Sequence, residues 1–378
     1  MLDLSTVGPA ARCTRLLADY GAAVVKVGPV PGRGPAQIDP PFFSYGAGRG
    51  YRRAEIDVRD DEGRQAFLAL AAHADVLVES FRPGVVDRLG IGYQTVAILN
   101  PGIVYCSTSG YGQDGPRSGW AGHDLDYLAV SGYLAMSSPA EGGAPPLPGA
   151  TIADAAAGGM QAALSIVSAL LARHSTGRGR YLDVAVADGA LWLMSLAVDE
   201  HLATGSSPAP GHDVLSGRYA CYGNYRAADG RWLAIGAIEP KFFANLCDAL
   251  GCAKWVEHQY DDSFQADIRA DMAARFARKE RDEWVEELSG ADTCVAPILE
   301  PSEVSSDPQY VYRGAFVEAD HPTAGRFGQV GPLLAGMPDI EQPVSLPEPA
   351  ITQTAALLEA AGISEERVAA MRSRGVLA

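Results

Sequence analysis

The sequence predicts an α/β protein with a parallel sheet in a large domain and a second, smaller domain. Three observations lead to this prediction. Short apolar strands alternate with helical stretches over residues 1–110, which is typical of parallel βαβ units. Residues 205–212, GSSPAPGH, form a predicted linker, and residues 219–236 carry a hairpin pattern. The 378 residues are enough for two or three domains.

The large domain is expected to comprise residues 1–205 and 311–378, and the smaller, α+β domain residues 206–310. Apolar runs predict strands at 23–27, 76–78, 104–107 and 181–186, and amphipathic patterns predict helices at 61–74, 154–174, 188–203 and 364–374. In the smaller domain we expect strands at 219–226 and 232–236 around the turn 227–230, and helices at 240–251, 264–278 and 281–289.

The charge balance limits the possible partners. With 30 Lys and Arg against 46 Asp and Glu, the chain carries a net charge of −16, and its field repels polyanions. Nucleic acid is therefore an unexpected partner. A phosphorylated ligand would need a local cluster of Arg side chains and backbone N–H groups that acts against this field.

The cysteines and the apolar segments indicate the cellular compartment of the protein. Six Cys without a CxxC pair predict neither a zinc site nor a disulfide framework, and the N-terminus lacks the pattern of a signal peptide. We therefore expect a cytoplasmic protein with no metal. The apolar stretch Met160–Ala172 is shorter than the roughly 18 residues that suggest a membrane span, so it is predicted to be a buried helix.

Two Gly- and Pro-rich loops, at 28–50 and 110–122, lie where ligands collect in open α/β sheets. No GxGxxG follows the first strand, which argues against a nicotinamide enzyme. His123 follows the second loop and is either a loop His hydrogen-bonded to a carboxylate or a general base. Asp154 opens the strongest helix, where Asp is a favoured N-cap.

The residues after Asp154 are Ala-Ala-Ala-Gly-Gly, so another group can approach this helix end closely. Asp154 could then present a carboxylate and helix-terminal N–H donors to an oxyanion. Glu239 precedes the helix-opening Pro240, where it either satisfies the helix dipole or orients a histidine of the other domain.

A set of arginines is concentrated in the loops of the first 90 residues. Arg next to Gly, as in Gly48-Arg-Gly50 and Phe81-Arg-Pro-Gly84, suits phosphate contact through the planar guanidinium fork. An equally weighted alternative is that these arginines are solvated surface charges without a ligand. The set consists of Arg33, Arg49, Arg52, Arg53, Arg82 and Arg88.

Taken together, these motifs resemble the family III CoA-transferase superfamily in chain order. The resemblance is carried by LLADYGAAVVKV (16–27), FRPGV (81–85), LGIG (89–92), NPGIVY (100–105), GYGQ (110–113) and GP (115–116). Within that superfamily, AGHDLDY (121–127) and GAIEP (236–240) are similar to the α-methylacyl-CoA racemase branch.

The resemblance implies that His123 and Asp154 are the acid/base residues and that Glu239 pairs with His123. It also implies a Rossmann-like large domain, the family III CoA-transferase fold and an interlocked homodimer that acts on an acyl-CoA substrate. The residues it assigns to CoA binding are Arg33, Arg49, Arg52, Arg53, Arg82, Gly122, Asp124, Leu125, Asp126 and Tyr127.

The chemistry that follows is racemisation of a 2-methylacyl-CoA thioester, for which two acid/base groups act on opposite faces of the α-carbon. No metal or redox cofactor is required, and the Asp154 backbone N–H is the expected donor to the enolate oxygen. The alternative is CoA transfer through an aspartyl anhydride on Asp154. Transferases of the family typically lack His at this position and carry a glycine run that residues 205–310 lack. A non-catalytic acyl-CoA-binding protein is the third possibility.

Overall fold

The computed structural model describes residues 1–33, 45–138, 143–338, 340–348 and 351–378. Residues 34–44 of the predicted 28–50 loop therefore lie outside the described residues. The strands in chain order are β1 (Leu2–Asp3), β2 (Val25–Gly28), β3 (Arg52–Glu55), β4 (Val76–Glu79), β5 (Val104–Ser109), β6 (Arg180–Ala185), β7 (Tyr222–Arg226), β8 (Trp232–Gly236), β9 (Val295–Pro297), β10 (Phe316–His321), β11 (Gly325–Val330) and β12 (Val344–Ser345).

The helices alternate with the strands over most of the chain. In order they are α1 (Gly8–Asp19), α2 (Asp61–Ala72), α3 (Val85–Arg88), α4 (Tyr93–Leu99), α5 (Asp124–Val130), α6 (Tyr133–Met136), α7 (Gln161–Thr176, preceded by a π-helical segment, Ala153–Met160), α8 (Val186–Leu193), α9 (Ser195–Thr204), α10 (Pro240–Ala249), α11 (Gln265–Phe276), α12 (Arg281–Leu288), α13 (Pro301–Val304), α14 (Pro308–Tyr312), α15 (Thr354–Ala360) and α16 (Glu365–Ser373).

The chain divides into two compact units. The larger comprises Met1–Gly132, Leu147–Ser195 and Gln309–Ala378, and the smaller Tyr133–Pro146 and Leu196–Pro308. These boundaries differ from the predicted domains, 1–205 with 311–378 and 206–310, because residues 133–146 and 196–205 group with the smaller unit. For α9 the cause is local: Glu200 accepts a hydrogen bond from the Ser206 hydroxyl at 3.0 Å, and its Oε1 lies 2.6 Å from Nε2 of His212.

A six-stranded sheet organises the larger unit. Its order is β3-β2-β1-β4-β5-β6, and every neighbouring pair is parallel. The short β1 is central, because Leu2 pairs with Val25 on one side and with Leu77 on the other. This is the strand order of a Rossmann fold, in which the connections change direction between β1 and β4. The predicted α/β fold with a parallel sheet is confirmed.

Both faces of this sheet are buried, which explains its nearly continuous apolar strands. In β4, Leu77 packs into one hydrophobic cluster, whereas Val78 packs into the cluster on the opposite face. The first cluster also contains Leu358 of α15 and Met371 of α16. The C-terminal helices are thus part of the core of the sheet that the N-terminal residues build.

The smaller unit has an antiparallel sheet, ordered β7-β8-β9. The predicted hairpin is confirmed: β7 pairs with β8, and the turn is closed by the Ala227 N–H, which donates to the Arg231 carbonyl at 2.8 Å. Its core combines the sheet with α10, α11 and α12, through buried residues that include Phe243, Phe276 and Trp284.

Two helical predictions are wrong in detail. Asp154 is not an N-cap, because Ile152 has that position and Asp154 lies inside the first turn of the π-helical segment. Residues 188–203 do not form one helix, because a break at Met194 separates α8 from α9.

The apolar stretch Met160–Ala172 lies within the predicted helix at 154–174, but the prediction that it is buried is wrong for much of its surface. The π-helical segment and α7 form one helix, Ala153–Thr176, which is long and apolar enough to cross a membrane by length and composition alone. Of its most apolar window 33% is buried. Ile166 packs against the sheet, but Leu164 and Leu171 are 70% and 73% exposed, because the sheet covers only one stripe of the helix.

Glu79 ends β4 as a buried carboxyl group, 1% exposed. Its Oε2 accepts the Phe81 N–H at 2.7 Å, and its Oε1 accepts the Ser107 hydroxyl of the neighbouring β5. Burial raises the pKa of Glu79 from 4.5 to about 7, because these two donors only partly replace the lost water.

The raised pKa of Glu79 predicts a loss of stability with rising pH. Between pH 4.5 and about pH 7 the folded chain keeps the proton that the unfolded chain has released, so the free energy of unfolding falls by roughly 3 kcal/mol across this window. Glu79→Gln should remove this decrease in urea unfolding from pH 4 to pH 8. The exposed control Glu359→Gln should keep it. An unchanged pH dependence in Glu79→Gln would refute the assignment.

Candidate active site

The candidate site lies at the carboxyl edge of the parallel sheet. The loop after β1 leads into α1, and the loop after β5, residues 110–123, leads into α5. The strand order changes direction between β1 and β4, and ligands of such sheets bind in the crevice that forms there. The two predicted acid/base residues, His123 and Asp154, both belong to this unit.

Aromatic packing fixes the loop that carries His123. The Tyr127 hydroxyl donates to the Gly122 carbonyl at 2.6 Å, and burial raises the pKa of Tyr127 to about 12, which keeps the hydroxyl protonated as a donor. The ring of Tyr111 meets that of Tyr127 edge-on at 5.3 Å. A Cβ at Gly110 or Gly122 would lie 2.5 or 2.8 Å from a Tyr127 ring carbon, so both close approaches require glycine.

His123 is the N-cap of α5, and its side chain is exposed. Its backbone N–H donates to Asp126 Oδ2 at 2.9 Å. A carboxylate therefore contacts the main chain of His123. This bond fits the alternative of a loop His hydrogen-bonded to a carboxylate, and the role of His123 as a general base stays a prediction.

Asp154 is half-buried beside the start of α5. Its backbone N–H donates to Asp124 Oδ1 at 2.8 Å, which joins the π-helical segment to α5. Burial raises the pKa of the Asp154 carboxyl, and the charge of Asp124 raises it further, while Arg12 and His123 act in the opposite direction. The expectation that the Asp154 N–H donates to an enolate oxygen is wrong, because Asp124 occupies this donor.

The small residues after Asp154 allow helix α1 to pack closely against the π-helical segment. A Cβ at Gly158 would lie 2.5 Å from Pro9 Cβ, and a Cβ at Gly159 would lie 2.9 Å from Arg12 Cβ. The close approach that the sequence predicts is therefore made by α1 and brings Arg12 to the site. Arg12 Nη2 donates to the Thr151 hydroxyl, three residues before Asp154.

The start of α1 also borders the Asp154 carboxylate. Gly8 has φ +78°, and a Cβ added to it would lie 3.7 Å from Asp154 Oδ2. The Asp154 carboxylate thus faces the loop after β1, at the change in strand order. The π-helical geometry around Asp154 is of a kind frequent at functional sites.

Glu239 lies in the smaller unit, as the N-cap of α10. The segment before it is held by Gln259, whose Nε2 donates to the carbonyls of Ala237 at 3.1 Å and Ile238 at 2.6 Å. The Tyr260 hydroxyl also donates to the Ile238 carbonyl. These hydrogen bonds fix the backbone that precedes Glu239. The pairing of Glu239 with His123 stays a prediction.

The arginines predicted to bind CoA have different surroundings. Arg49 is buried and donates to Asp19 at 3.1 Å and to the Val330 carbonyl at 3.1 Å. Arg33 donates to the Arg374 carbonyl at 2.7 Å. The remaining three have no hydrogen bond or ion pair to their guanidinium groups within the described part of the chain, and they are Arg52, Arg53 and Arg82.

The predicted CoA-binding segment 122–127 is largely engaged in building the site. Asp124 accepts the Asp154 N–H, Asp126 accepts the His123 N–H, and Tyr127 holds the Gly122 carbonyl. The side chain of Leu125 is 40% exposed and open to a ligand. These contacts give the segment a positioning role, and its contact with CoA stays a prediction.

Sequence reasoning missed Arg12, Gly8 and the bond from Asp154 to Asp124. The Gly158-Gly159 pair indicated that a close neighbour exists, but no pattern identifies that neighbour as α1. Glu79 was missed as well, because a Glu at the end of a predicted strand is usually solvated.

We expect Asp124→Asn to lower the pKa of Asp154. The amide oxygen can still accept the Asp154 N–H, but the repulsive charge is gone. Titration of selectively ¹³C-labelled aspartates by NMR measures this directly. Asp126→Asn is the matched control, because the Asp126 carboxylate contacts the His123 N–H. This variant should leave the pKa of Asp154 unchanged. An Asp154 pKa that stays constant in Asp124→Asn would show that burial alone raises it.

Comparison with known proteins gives the family of this arrangement. Residues 1–354 match CoA-transferase family III. The chain is 33% identical to the α-methylacyl-CoA racemase of Homo sapiens, over 100% of this chain and 96% of that protein. It is 30% identical to the acetyl-CoA:oxalate CoA-transferase of Acetobacter aceti, over 84% of each. A solved structure of a CaiB/BaiF family protein from Brucella suis superposes with a TM-score of 0.75 at 25% identity, over 99% and 97% of the two chains. The protein therefore belongs to CoA-transferase family III.

Proposed function

We propose that this enzyme is a racemase, or epimerase, that inverts the α-carbon of 2-methylacyl-CoA thioesters. The observation that supports this best is the convergence of His123 and Asp154. Asp124 bonds the backbone of Asp154 and directly follows His123, and the imidazole lies close enough to influence the Asp154 pKa. The racemase relative, matched along the whole chain, agrees with this reading.

Inversion requires a proton to leave one face of the α-carbon and another to arrive on the opposite face. Neutral His123 takes the proton from one enantiomer while protonated Asp154 donates to the other face, and the roles reverse for the other enantiomer. A raised pKa favours this, because it increases the fraction of Asp154 that holds a proton near neutral pH.

The enolate oxygen needs a donor other than the Asp154 N–H, which Asp124 occupies. In the first turn of α5, the N–H groups of Asp124 and Leu125 have no acceptor within the described residues. They lie beside His123, where the thioester must be for its α-proton to reach the imidazole. Donors fixed by the fold stabilise a developing oxyanion without reorganisation.

The thioester acidifies the α-carbon, so the chain itself needs to supply only proton transfer, positioning and binding. Glu239 would orient the imidazole and stabilise its cation. Arg52, Arg53 and Arg82, whose guanidinium groups have no ion-pair partner among the described residues, would bind the CoA phosphates. This remote binding energy positions the reacting carbon. The acyl group could be a branched fatty, sterol side-chain or arylpropionyl group.

CoA transfer is the second candidate, which the transferase relative favours. There the Asp154 carboxylate attacks the thioester carbonyl and the C–S bond breaks, so that CoA leaves as a thiolate and the acyl group stays on Asp154 as a mixed anhydride. This chemistry needs an ionised Asp154 and no second base. The raised pKa of Asp154 works against ionisation, and His123 would have no role.

Two variants separate these candidates. His123→Ala and Asp154→Asn should each lower α-proton exchange of 2-methylacyl-CoA by about 100- to 10,000-fold, because a positioned acid or base contributes this much. Exchange is followed by ¹H NMR in D₂O, with His73→Ala, an exposed His far along the chain from both residues, as the control. No α-proton exchange in the natural enzyme, combined with CoA transfer to added carboxylates that His123→Ala keeps and Asp154→Asn loses, would favour the transferase.

We also propose that the enzyme is an interlocked homodimer. In the larger unit, Leu164, Val167 and Leu171 follow one another on one face of α7 and are 70%, 52% and 73% exposed. Trp192 of α8 is 75% exposed. Apolar faces of this size are usually covered by another protein surface, and a second copy of the chain is the partner that the family resemblance predicts.

An interlocked dimer should not separate before it unfolds. Light scattering after gel filtration should give twice the mass of one chain, and in urea the loss of this mass should coincide with the loss of circular dichroism. The midpoint should rise with protein concentration, since association and folding are then one equilibrium. A single-chain mass, or monomers that keep their secondary structure, would contradict the proposal.

A further inference from the structure

Glu79 is a buried carboxyl group that the proposed proton transfers do not use. It is 1% exposed and lies at the carboxyl end of β4. Its two oxygens accept from the Ser107 hydroxyl and from the Phe81 N–H, the latter at 2.7 Å. Burial of a carboxyl group costs free energy, so Glu79 is not explained by a gain in stability. Its effect on the geometry of the neighbouring chain offers an explanation. That effect is to fix the direction in which the chain leaves the sheet.

A tight turn fixes the same segment two residues later. The Val85 N–H donates to the Arg82 carbonyl at 3.1 Å across Pro83 and Gly84. Gly84 has φ 75° and ψ −1°, which are the angles of the third residue of a type II turn with Pro in the second position. Phe81 packs against the core. Arg82 is therefore anchored on both sides, by Glu79 before it and by the turn after it.

The side chain of Arg82 contrasts with this rigid backbone. It is exposed, and its guanidinium has no ion pair or hydrogen bond among the residues that the structure describes. Arg49, in contrast, is bound by Asp19 and the Val330 carbonyl. Because the backbone of Arg82 is already fixed at the carboxyl edge of the sheet, an anion that binds here has to order only the side chain and not the chain that carries it.

We propose that Glu79 is a positioning residue that holds Arg82 in place for the phosphate groups of CoA, an inference that rests on the proposed acyl-CoA substrate. Glu79 acts through its accepted bond from the Phe81 N–H and not through its charge. A carboxylate, a carboxylic acid and an amide can all accept this bond. Removal of the acceptor should therefore disturb CoA binding, and replacement by an amide should restore it.

The test is the dissociation constant of free CoA, measured by isothermal titration calorimetry on the intact protein. Arg82→Ala should weaken binding about tenfold, the usual scale for one charge-assisted contact. Glu79→Ala should weaken it several-fold, and Glu79→Gln should bind as the natural enzyme does. The double variant Glu79→Ala with Arg82→Ala should bind no more weakly than Arg82→Ala alone, because both changes remove the same contact.

Pantetheine distinguishes positioning from general loss of structure, since it lacks the phosphates next to the adenosine. Its affinity should be equal in the natural protein, Glu79→Ala and Arg82→Ala. Asn100→Ala is the matched control: Asn100 accepts the Gly102 N–H at 3.2 Å and donates to the Ala74 carbonyl at 2.8 Å, before β5. It should lower stability and leave CoA affinity unchanged.

If Glu79→Ala does not fold, Gly84→Ala replaces it as the test, because this substitution strains the turn and leaves the Glu79 carboxyl group intact. It should weaken CoA and spare pantetheine. The proposal is overturned if Glu79→Ala or Gly84→Ala binds CoA normally, if pantetheine weakens equally, or if the natural protein does not bind CoA. These binding measurements do not depend on catalysis. If CoA affinity changes as expected but the enzyme does not racemise its substrate, only the proposed reaction is refuted.

Discussion

The hydrogen bond from the Asp154 N–H to the Asp124 carboxylate is the interaction on which the candidate site depends. It joins the π-helical segment to α5, and His123 is the N-cap of α5. Two acid/base groups that are 31 positions apart in sequence thereby share one rigid connection. The same bond occupies the donor that would otherwise be nearest to a developing enolate, so stabilisation of the oxyanion has to come from elsewhere.

The acid strength of Asp154 follows from the packing around it. Gly158 and Gly159 let α1 approach closely, which buries the carboxyl group and places Arg12 nearby. Burial and Asp124 favour the protonated form, whereas Arg12 and His123 favour the ionised form. The fold thus sets opposing influences on one group, which is what a residue that must both give and take a proton requires.

Much of this could be predicted from sequence, because it depends on local pattern. The strands at β4 and β5, the hairpin of β7 and β8 and helix α2 follow from periodicity, and the motifs that contain His123 and Glu239 indicate the family. The contacts of Arg12 with Thr151, of Asp124 with Asp154 and of Glu79 with Ser107 could not be predicted. They join distant segments, and only the folded sheet brings them together. Likewise, the apolar face of α7 has the periodicity of a buried helix, but one chain covers only part of it.

Two-base proton transfer is the central claim, and one measurement tests it most directly. The purified enzyme is incubated with (S)-2-methylacyl-CoA in D₂O without an acceptor acid, and the α-proton and the optical purity are followed together. We expect loss of the α-proton signal in step with loss of optical purity, with solvent deuterium in the (R) product. An α-proton that stays in place, followed by CoA transfer once oxalate or succinate is added, would contradict the claim and identify Asp154 as a nucleophile.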